Sequence, residues 1–538
     1  MVFQLQLWYR AGFQALEKKF RYFYIFLFFC CLILKGSLVE AHPNLGLTYL
    51  NDAAHLYHQK EYFKAARYAF AAIEEDPGLK SQGYAWITQG LIHAHLPHAS
   101  AYFFIKTLQT GDLGSIQSVL TQTENLLFSV GADLIKKYLI RYTRYEDYDS
   151  PNRSAYLYAL GKDLILQNLY QKAIQVLSAI PSNSSLWPYM LQMRGSALAI
   201  TGKNWEAIQD FRQCADHSNR ILQGNKVDSS IFLSHEVDDL RSRCVAGEAR
   251  TFYQMNRFVE ADRTYEAISK KSRIWPDILF EQAWNAFSQN QYNRALGKLV
   301  SYKSPALSFF FNSEIDVLRA QSFLSLCLYT DTNFVINEFN KKFYSLGQEI
   351  KNFVQENEND LLKFYSLGKT VYQSSRYTSN IFYQLVNRFI RGPYFKNLIS
   401  NENQIQSEIE TITRLSSRLY MGQNLFNLGE GFPGFLDQVL KWRLRSVKLL
   451  GGAFVKNSLI DYHTTLIDDF DKISFIKLEM INLEKDKLTM TLPLFKTRVR
   501  GDREPERRDD QIKWNFNGEF WSDELGDYVF GLESECKK

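Results

Sequence analysis

"GSALAITGKNW", residues 195 to 205, carries two glycines and then a lysine, the outline of a phosphate-binding loop. Such a loop needs four residues between its glycines and Ser or Thr after the lysine, because backbone N–H groups cradle the phosphates and the hydroxyl holds magnesium. Here six residues separate Gly195 from Gly202, and Asn204 follows Lys203. A different rule placed these glycines.

That rule is a pairing of small residues twelve positions apart: Gly161 with Ala173, Gly195 with Ala207, Ala249 with Ala261, Ala283 with Ala295 and, earlier, Ala53 with Ala65. Gly161 to Gly195 is 34 residues, Ala249 to Ala283 is 34 again, and the 54 between Gly195 and Ala249 is 34 plus an insertion of 20. A fixed period of 34 is the signature of a helical-hairpin repeat. Each unit is two amphipathic helices packed antiparallel, with a residue of little bulk at the crossing so that the backbones approach closely. In the unit from Tyr189, Leu191 and Leu198 line the first helix, "TGKN" is the turn, and Ala207 and Phe211 pack the second. Gly195 is then a helix-crossing glycine and Gly202 a turn glycine.

This pattern resembles the tetratricopeptide repeat, which has a small residue at position 8, Ala at 20, a large apolar residue at 24 and a small one at 27. Gly195, Ala207, Phe211 and Cys214 match all four. Ala53, Ala65, Ala72 and Pro77 match positions 8, 20, 27 and 32 in the first unit, where Ala69 replaces the large residue. Ala249, Ala261 and Tyr265 match, as do Ala283, Ala295 and Leu299. The resemblance covers residues 45 to about 330, with degenerate units around Gly90 and Ala320. It implies an all-α, right-handed superhelical solenoid whose first helices line a concave, protein-binding groove. Carried onto this chain, the groove positions are Tyr158 and Lys162, then Tyr189, Gln192 and Ser196, then Arg250 and Tyr253, then Phe280, Trp284 and Phe287. Aromatics with Arg have the composition of a protein-binding hot spot.

The whole chain has 538 residues, 46% of them hydrophobic and 22% charged, which is globular rather than disordered composition. Arg10, Lys18, Lys19 and Arg21 precede the uncharged "YFYIFLFFCCLIL", and "KGSLVEAHP" follows. That run falls short of the roughly 20 residues of a membrane-spanning helix. With small residues at Val39 and Ala41 it reads as a secretory signal over residues 1–41, cut after Ala41. An uncleaved anchor competes with this, as does a lipoprotein through Cys30 or Cys31, although Phe28 and Phe29 stand where a lipobox wants small residues. Without residues 1–41, Lys and Arg fall from 63 to 58 and Asp and Glu from 58 to 56, so the mature chain is nearly neutral. A nucleic-acid partner, which requires surplus positive charge, is not expected.

The expected organisation beyond the signal is degenerate repeat-like helices over 45–150, the array over 151–345, long paired helices over 346–490, and a charged linker with an aromatic segment over 491–538. "GPYF" and "GEGFPGF" mark breaks near 392 and 429, and "FLDQVLKWRLRSVKLL" and "FDKISFIKLEMINLEKDKLTM" carry apolar residues at helical spacing. "RGDREPERRDD", residues 500 to 510, reads as a solvated linker. Trp514, Phe516, Phe520, Trp521 and Tyr528 follow it, a cluster suited to docking onto the chain's own helices or onto another chain. The N-terminal segment, the array, "ISFIKLEMINLEKDKL" and the terminal "FNGEFWSDELGDY" together are similar to tetratricopeptide proteins of predatory and gliding deltaproteobacteria, some of them in the envelope machinery of adventurous gliding motility. That resemblance implies an exported, periplasmic or outer-membrane-associated scaffold that binds envelope proteins, with membrane association through partners or a retained N-terminal segment.

Catalytic constellations are sparse: neither H-E-x-x-H nor G-x-S-x-G occurs, and Ser366 with Lys369 forms an S-x-x-K with no K-T-G after it. No enzyme activity, cofactor or small-molecule substrate is therefore expected. The alternatives are an envelope enzyme or cell-wall-binding protein with an unrecognised site, and a metal-binding protein using His42, His55, His58, His93, His95 and His98. His55 and His58 share a helical face, but Pro97 interrupts the second group and no carboxylate or cysteine completes a metal-ligand spacing, so no metal site is assigned. Cys214 and Cys244 flank the inserted segment, and either a bridge or two buried thiols fits them.

Overall fold

A computed structural model describes residues 45–222, 234–374, 380–421, 429, 431–489, 504–514 and 519–536. The expectations for the signal segment, Cys30, Cys31, His42 and Phe516 lie outside these residues. The chain forms two compact units, Met1–Ile180 with Ile412–Asp437, and Pro181–Thr411 with Gln438–Lys538.

The first unit holds α1 (Leu45–His58), α2 (Tyr62–Glu75), α3 (Lys80–His93), α4 (Pro97–Thr110), the short α5 (Leu113–Leu120), α6 (Thr123–Val130) and α7 (Ala132–Tyr142), then α8 (Arg153–Leu166) and α9 (Tyr170–Leu177). The second holds α10 (Trp187–Ile200), α11 (Asn204–Leu222), α12 (Ser234–Gln254), α13 (Phe258–Glu266), α14 (Trp275–Ser288), α15 (Tyr292–Val300), α16 (Glu314–Ser325), α17 (Tyr329–Glu356), α18 (Leu361–Gln373) and α19 (Ile381–Ile390). Two long helices, α20 (Pro393–Met421) and α21 (Gly431–Thr489), contribute residues to both units. Among the described residues the chain is all-α apart from one two-residue parallel ladder, β1 (Ile512–Lys513) with β2 (Tyr528–Val529).

One turn recurs in seven hairpins. Lys60, His95, Asn168, Gly202, Asn256, Asn290 and Cys327 all adopt left-handed backbone, with φ between 56° and 78°. The next N–H in each case reaches back to the carbonyl five residues earlier: Glu61 to Leu56, Leu96 to Leu91, Leu169 to Leu164, Lys203 to Leu198, Arg257 to Phe252, Gln291 to Ala286 and Leu328 to Phe323. This is the Schellman closure, which satisfies the orphan carbonyls of the first helix and reverses the chain into the second. Seven positions before each turn residue stands a small buried one, Ala53, Thr88, Gly161, Gly195, Ala249, Ala283 or Ala320. Five positions after stands another, Ala65, Ser100, Ala173, Ala207, Ala261, Ala295 or Thr332. The two degenerate units are therefore full hairpins, with Thr88 against Ser100, whose Oγ donates to the Thr88 carbonyl at 2.8 Å, and Ala320 with Thr332.

Close approach explains the glycines. The Phe211 ring is held between Gly195 and Gly247, where an added Cβ would stand 3.0 Å and 2.5 Å from Cε1. The insertion lengthens the surrounding pair, α11 to 19 residues and α12 to 21, against 14 in α10 and α14. Cys214 and Cys244 join these two helices in a disulfide. Past α16 the period gives way to a separate apolar core of the second unit, in which Phe339, Phe343, Phe364, Leu385, Phe395 and Leu459 pack together. In the first unit, Phe63, Phe70, Tyr102 and Phe103 ring Phe432 and Phe435 from the start of α21.

Candidate protein-binding face

α14 begins with Trp-Pro, proline being favoured in a first helical turn because its missing N–H would be unpaired there anyway. Ile278, Leu279, Gln282, Ala283 and Ala286 are buried on its inner side. Phe280, Trp284 and Phe287 recur at helical spacing on another face and are half-buried. Their flanks pack against Leu299, Ile315 and Leu318. Trp284 meets Phe287 edge to face at 5.7 Å between centroids, and Phe287 meets Tyr292 at 5.3 Å. Part of each ring thus serves helix packing and part remains open.

Polar contacts tie this face to the neighbouring first helices. Arg250 on α12 donates twice to Glu281 on α14, at 2.8 and 2.6 Å, and Glu281 also accepts from the Tyr265 hydroxyl at 3.0 Å. Burial, with Glu281 beside it, holds the Tyr265 hydroxyl protonated well above the ordinary phenol range. Tyr253 and Ser288 share a hydrogen bond of 2.9 Å, and Gln254 donates to the Ala199 carbonyl of α10 at 3.3 Å. α10 presents Tyr189 and Gln192 half-buried and Ser196 exposed, its Oγ turned back to the Gln192 carbonyl. Arg250 is thus a fixed element of the face, already paired. Tyr158 and Lys162 lie on α8 in the first unit, half-buried, with Lys162 paired to Asp133 at 3.1 Å. Spacing could not reveal Glu281, Tyr265 and Ser288, because nothing marks a partner one or two helices away.

The C-terminal segment docks on the chain's own helices. Leu525 and Tyr528 are buried with Trp275, Leu279, Val300 and Leu307, and Trp514, Phe520 and Phe530 pack around them. Trp514 stands 4.7 Å from Tyr528 and 5.1 Å from Phe520 between ring centroids. Trp521 is 60% exposed, although its backbone N–H reaches the Tyr528 hydroxyl at 3.4 Å. The backbone lies directly on α15, where a Cβ on Gly297 would fall 1.8 Å from the Tyr528 carbonyl oxygen. Asn293 brackets the chain beyond β2, its side chain donating to the Leu532 carbonyl and accepting from the Leu532 N–H. Lys270 bonds Asp527, and Arg508 pairs with Asp262 and Glu266, so the end of the charged stretch is anchored rather than a solvated linker throughout. A second disulfide joins Cys327 to Cys536, across 209 residues of sequence.

Among the described residues the histidines do not converge. His93 stacks on Tyr62 at 5.2 Å, His95 is a turn residue, His98 is buried, and His55 and His58 are exposed. Among the described residues no group of three or more His, Cys, Asp or Glu could hold a metal ion. Lys369 is salt-bridged to Glu402 at 2.9 Å, while Ser366 is exposed. Among the described residues no helix is long and apolar enough to cross a membrane.

No protein-family model matches the chain, and no curated protein matches it. Among solved structures it is similar to the crystal structure of the yeast Tom70, at 12% identity over 83% of this chain and 99% of that one, with a TM-score of 0.19. It is also similar to a circular tandem repeat protein with novel repeat topology and enhanced subunit contact surfaces, at 11% identity over 80% and 90%, with a TM-score of 0.11. At those scores neither likeness bears on function.

Proposed function

We propose that the chain is a non-enzymatic, tetratricopeptide-type scaffold that holds a segment of a protein partner on the first-helix face. The observation that carries this reading is the half-open aromatic row Phe280, Trp284 and Phe287, braced by the Arg250–Glu281–Tyr265 bonds. Rigid aromatics beside pre-paired polar groups offer large contact area at little ordering cost. The chain acts outside the cytoplasm, in the periplasm or at the outer membrane, in an envelope assembly of the gliding-motility kind. Two disulfides support an oxidising compartment, and the basic-then-apolar N-terminal sequence supports export. The test compares partners captured from envelope extract, and melting temperature, for wild type and Trp284→Ala/Phe287→Ala. Loss of partner with normal melting supports the reading, and full retention of every partner by a normally melting variant overturns it.

A further inference from the structure

The two disulfides occupy opposite environments. Cys214 and Cys244 are fully buried between α11 and α12. Cys536 is exposed and Cys327 half-buried at the α16–α17 turn. Thiol–disulfide exchange requires an incoming thiolate to reach a sulfur, so access alone separates the pairs.

The bridged turn does not depend on its bridge. Lys60, His95, Asn168, Gly202, Asn256 and Asn290 hold the same left-handed conformation with the same backbone closure, and none of them is a cysteine. What the Cys327–Cys536 bond holds is the segment's end. Near it, the Glu535 N–H donates to the Leu326 carbonyl at 2.9 Å, and Phe530 and Leu532 cover Leu296, Leu326 and Leu328. Further upstream the segment has its own fasteners, namely Arg508 on Asp262 and Glu266, Lys270 on Asp527, and the ladder of Ile512 with Tyr528.

We propose that Cys327–Cys536 is the exchangeable disulfide of this chain, a site of attack by a dithiol, and that its reduction frees the segment's end from the α16–α17 turn while the hairpins stay folded. One thiolate of the dithiol attacks the sulfur of the exposed residue Cys536, the S–S bond breaks, and Cys327 leaves as a thiolate that takes up a proton. The second thiol then displaces Cys536 from the mixed disulfide. Two electrons pass to the cysteine pair, and the reductant ends as its own disulfide. The freed end leaves the Leu326 carbonyl and the turn beside it, while Asn293 still brackets Leu532, giving the surface a second, reduced form.

The experiment titrates the full chain with dithiothreitol under native conditions, quenches by alkylation and identifies the modified cysteines by mass spectrometry. Cys327 and Cys536 should alkylate at dithiothreitol concentrations about tenfold or more below those that open Cys214–Cys244. Hydrogen exchange on the same samples should show faster exchange at Glu535, whose N–H bonds the Leu326 carbonyl, with α10–α15 unchanged. Cys536→Ser should show that faster exchange without reductant. Opening of Cys214–Cys244 first or at the same concentration would overturn the proposal, and so would unchanged exchange at the segment's end after reduction.

Discussion

Replacing Gly247 by Ala and Gly195 by Ala should have different consequences, although both glycines lie in helices against the same ring. In a helix interior Ala is favoured over Gly by about 1 kcal/mol, so propensity alone stabilises both variants. At Gly247 the new methyl would stand 2.5, 2.7 and 2.8 Å from three Phe211 ring atoms, well inside carbon contact distance. Phe211 is buried and flanked by Gly195 on its other side, so the ring has little room to retreat. Overpacking costs about 1–3 kcal/mol, and three contacts under 3.0 Å put this site in the upper part of that range, about 2–3 kcal/mol, which leaves Gly247→Ala destabilised by about 1–2 kcal/mol net. At Gly195 the distances are 3.0, 3.2 and 3.2 Å, which a shift of a few tenths of an ångström relieves, so Gly195→Ala should be neutral. Thermal melting reads this directly, since 1 kcal/mol moves Tm by about 2–4 °C in a domain of 150–250 residues. Combining Gly247→Ala with Phe211→Leu should recover part of the loss, because the smaller side chain makes room and neighbouring sites are not additive. A Gly247→Ala protein that melts at or above wild type, with no coupling to Phe211, would refute the packing reasoning.

At Gly297, Ala would set its methyl on the Tyr528 carbonyl oxygen, so this variant should keep its helices yet lose hydrogen-exchange protection around Tyr528 and Val529; retained protection would show that the seat is not built on that contact. The His93 ring should titrate below its usual 6.5, because partial desolvation beside Tyr57 and Tyr62, and then the nearby His95, disfavour its charged form. Its contribution to stability is then present above pH 6.5 and lost as pH falls through the folded value, since the unfolded chain takes up the proton first; an NMR midpoint at or above 6.5 argues against it. Mature protein should begin at His42 and fractionate with the envelope, an expectation that intact Met1 on soluble cytoplasmic protein would defeat.

The array was legible because its crossings demand a small residue and its turns return at a fixed interval, so Gly161, Gly195, Ala249 and Ala283 declare themselves in the sequence. The pairs Thr88/Ser100 and Ala320/Thr332 hide in the same pattern, because Thr and Ser fit the crossing but are common elsewhere. Gly247 and Gly297 were silent for another reason: their bulk limits come from Phe211 and Tyr528, contacts that no local spacing encodes. The Cys327–Cys536 bond is equally non-local. The aromatic row on α14 was readable as a helix face, whereas its bracing by Glu281 and Tyr265 required the fold.

The claim that the first-helix face holds a protein segment is tested most directly by site-specific photocrosslinking in the native cell. A photoreactive phenylalanine analogue in place of Phe287 should yield a discrete crosslinked partner, and adding Trp284→Ala should abolish it. The same analogue at Val259, which is 53% exposed on the second helix α13, should yield none. No crosslink at Phe287, or the same partner with equal yield at Val259, would contradict the account.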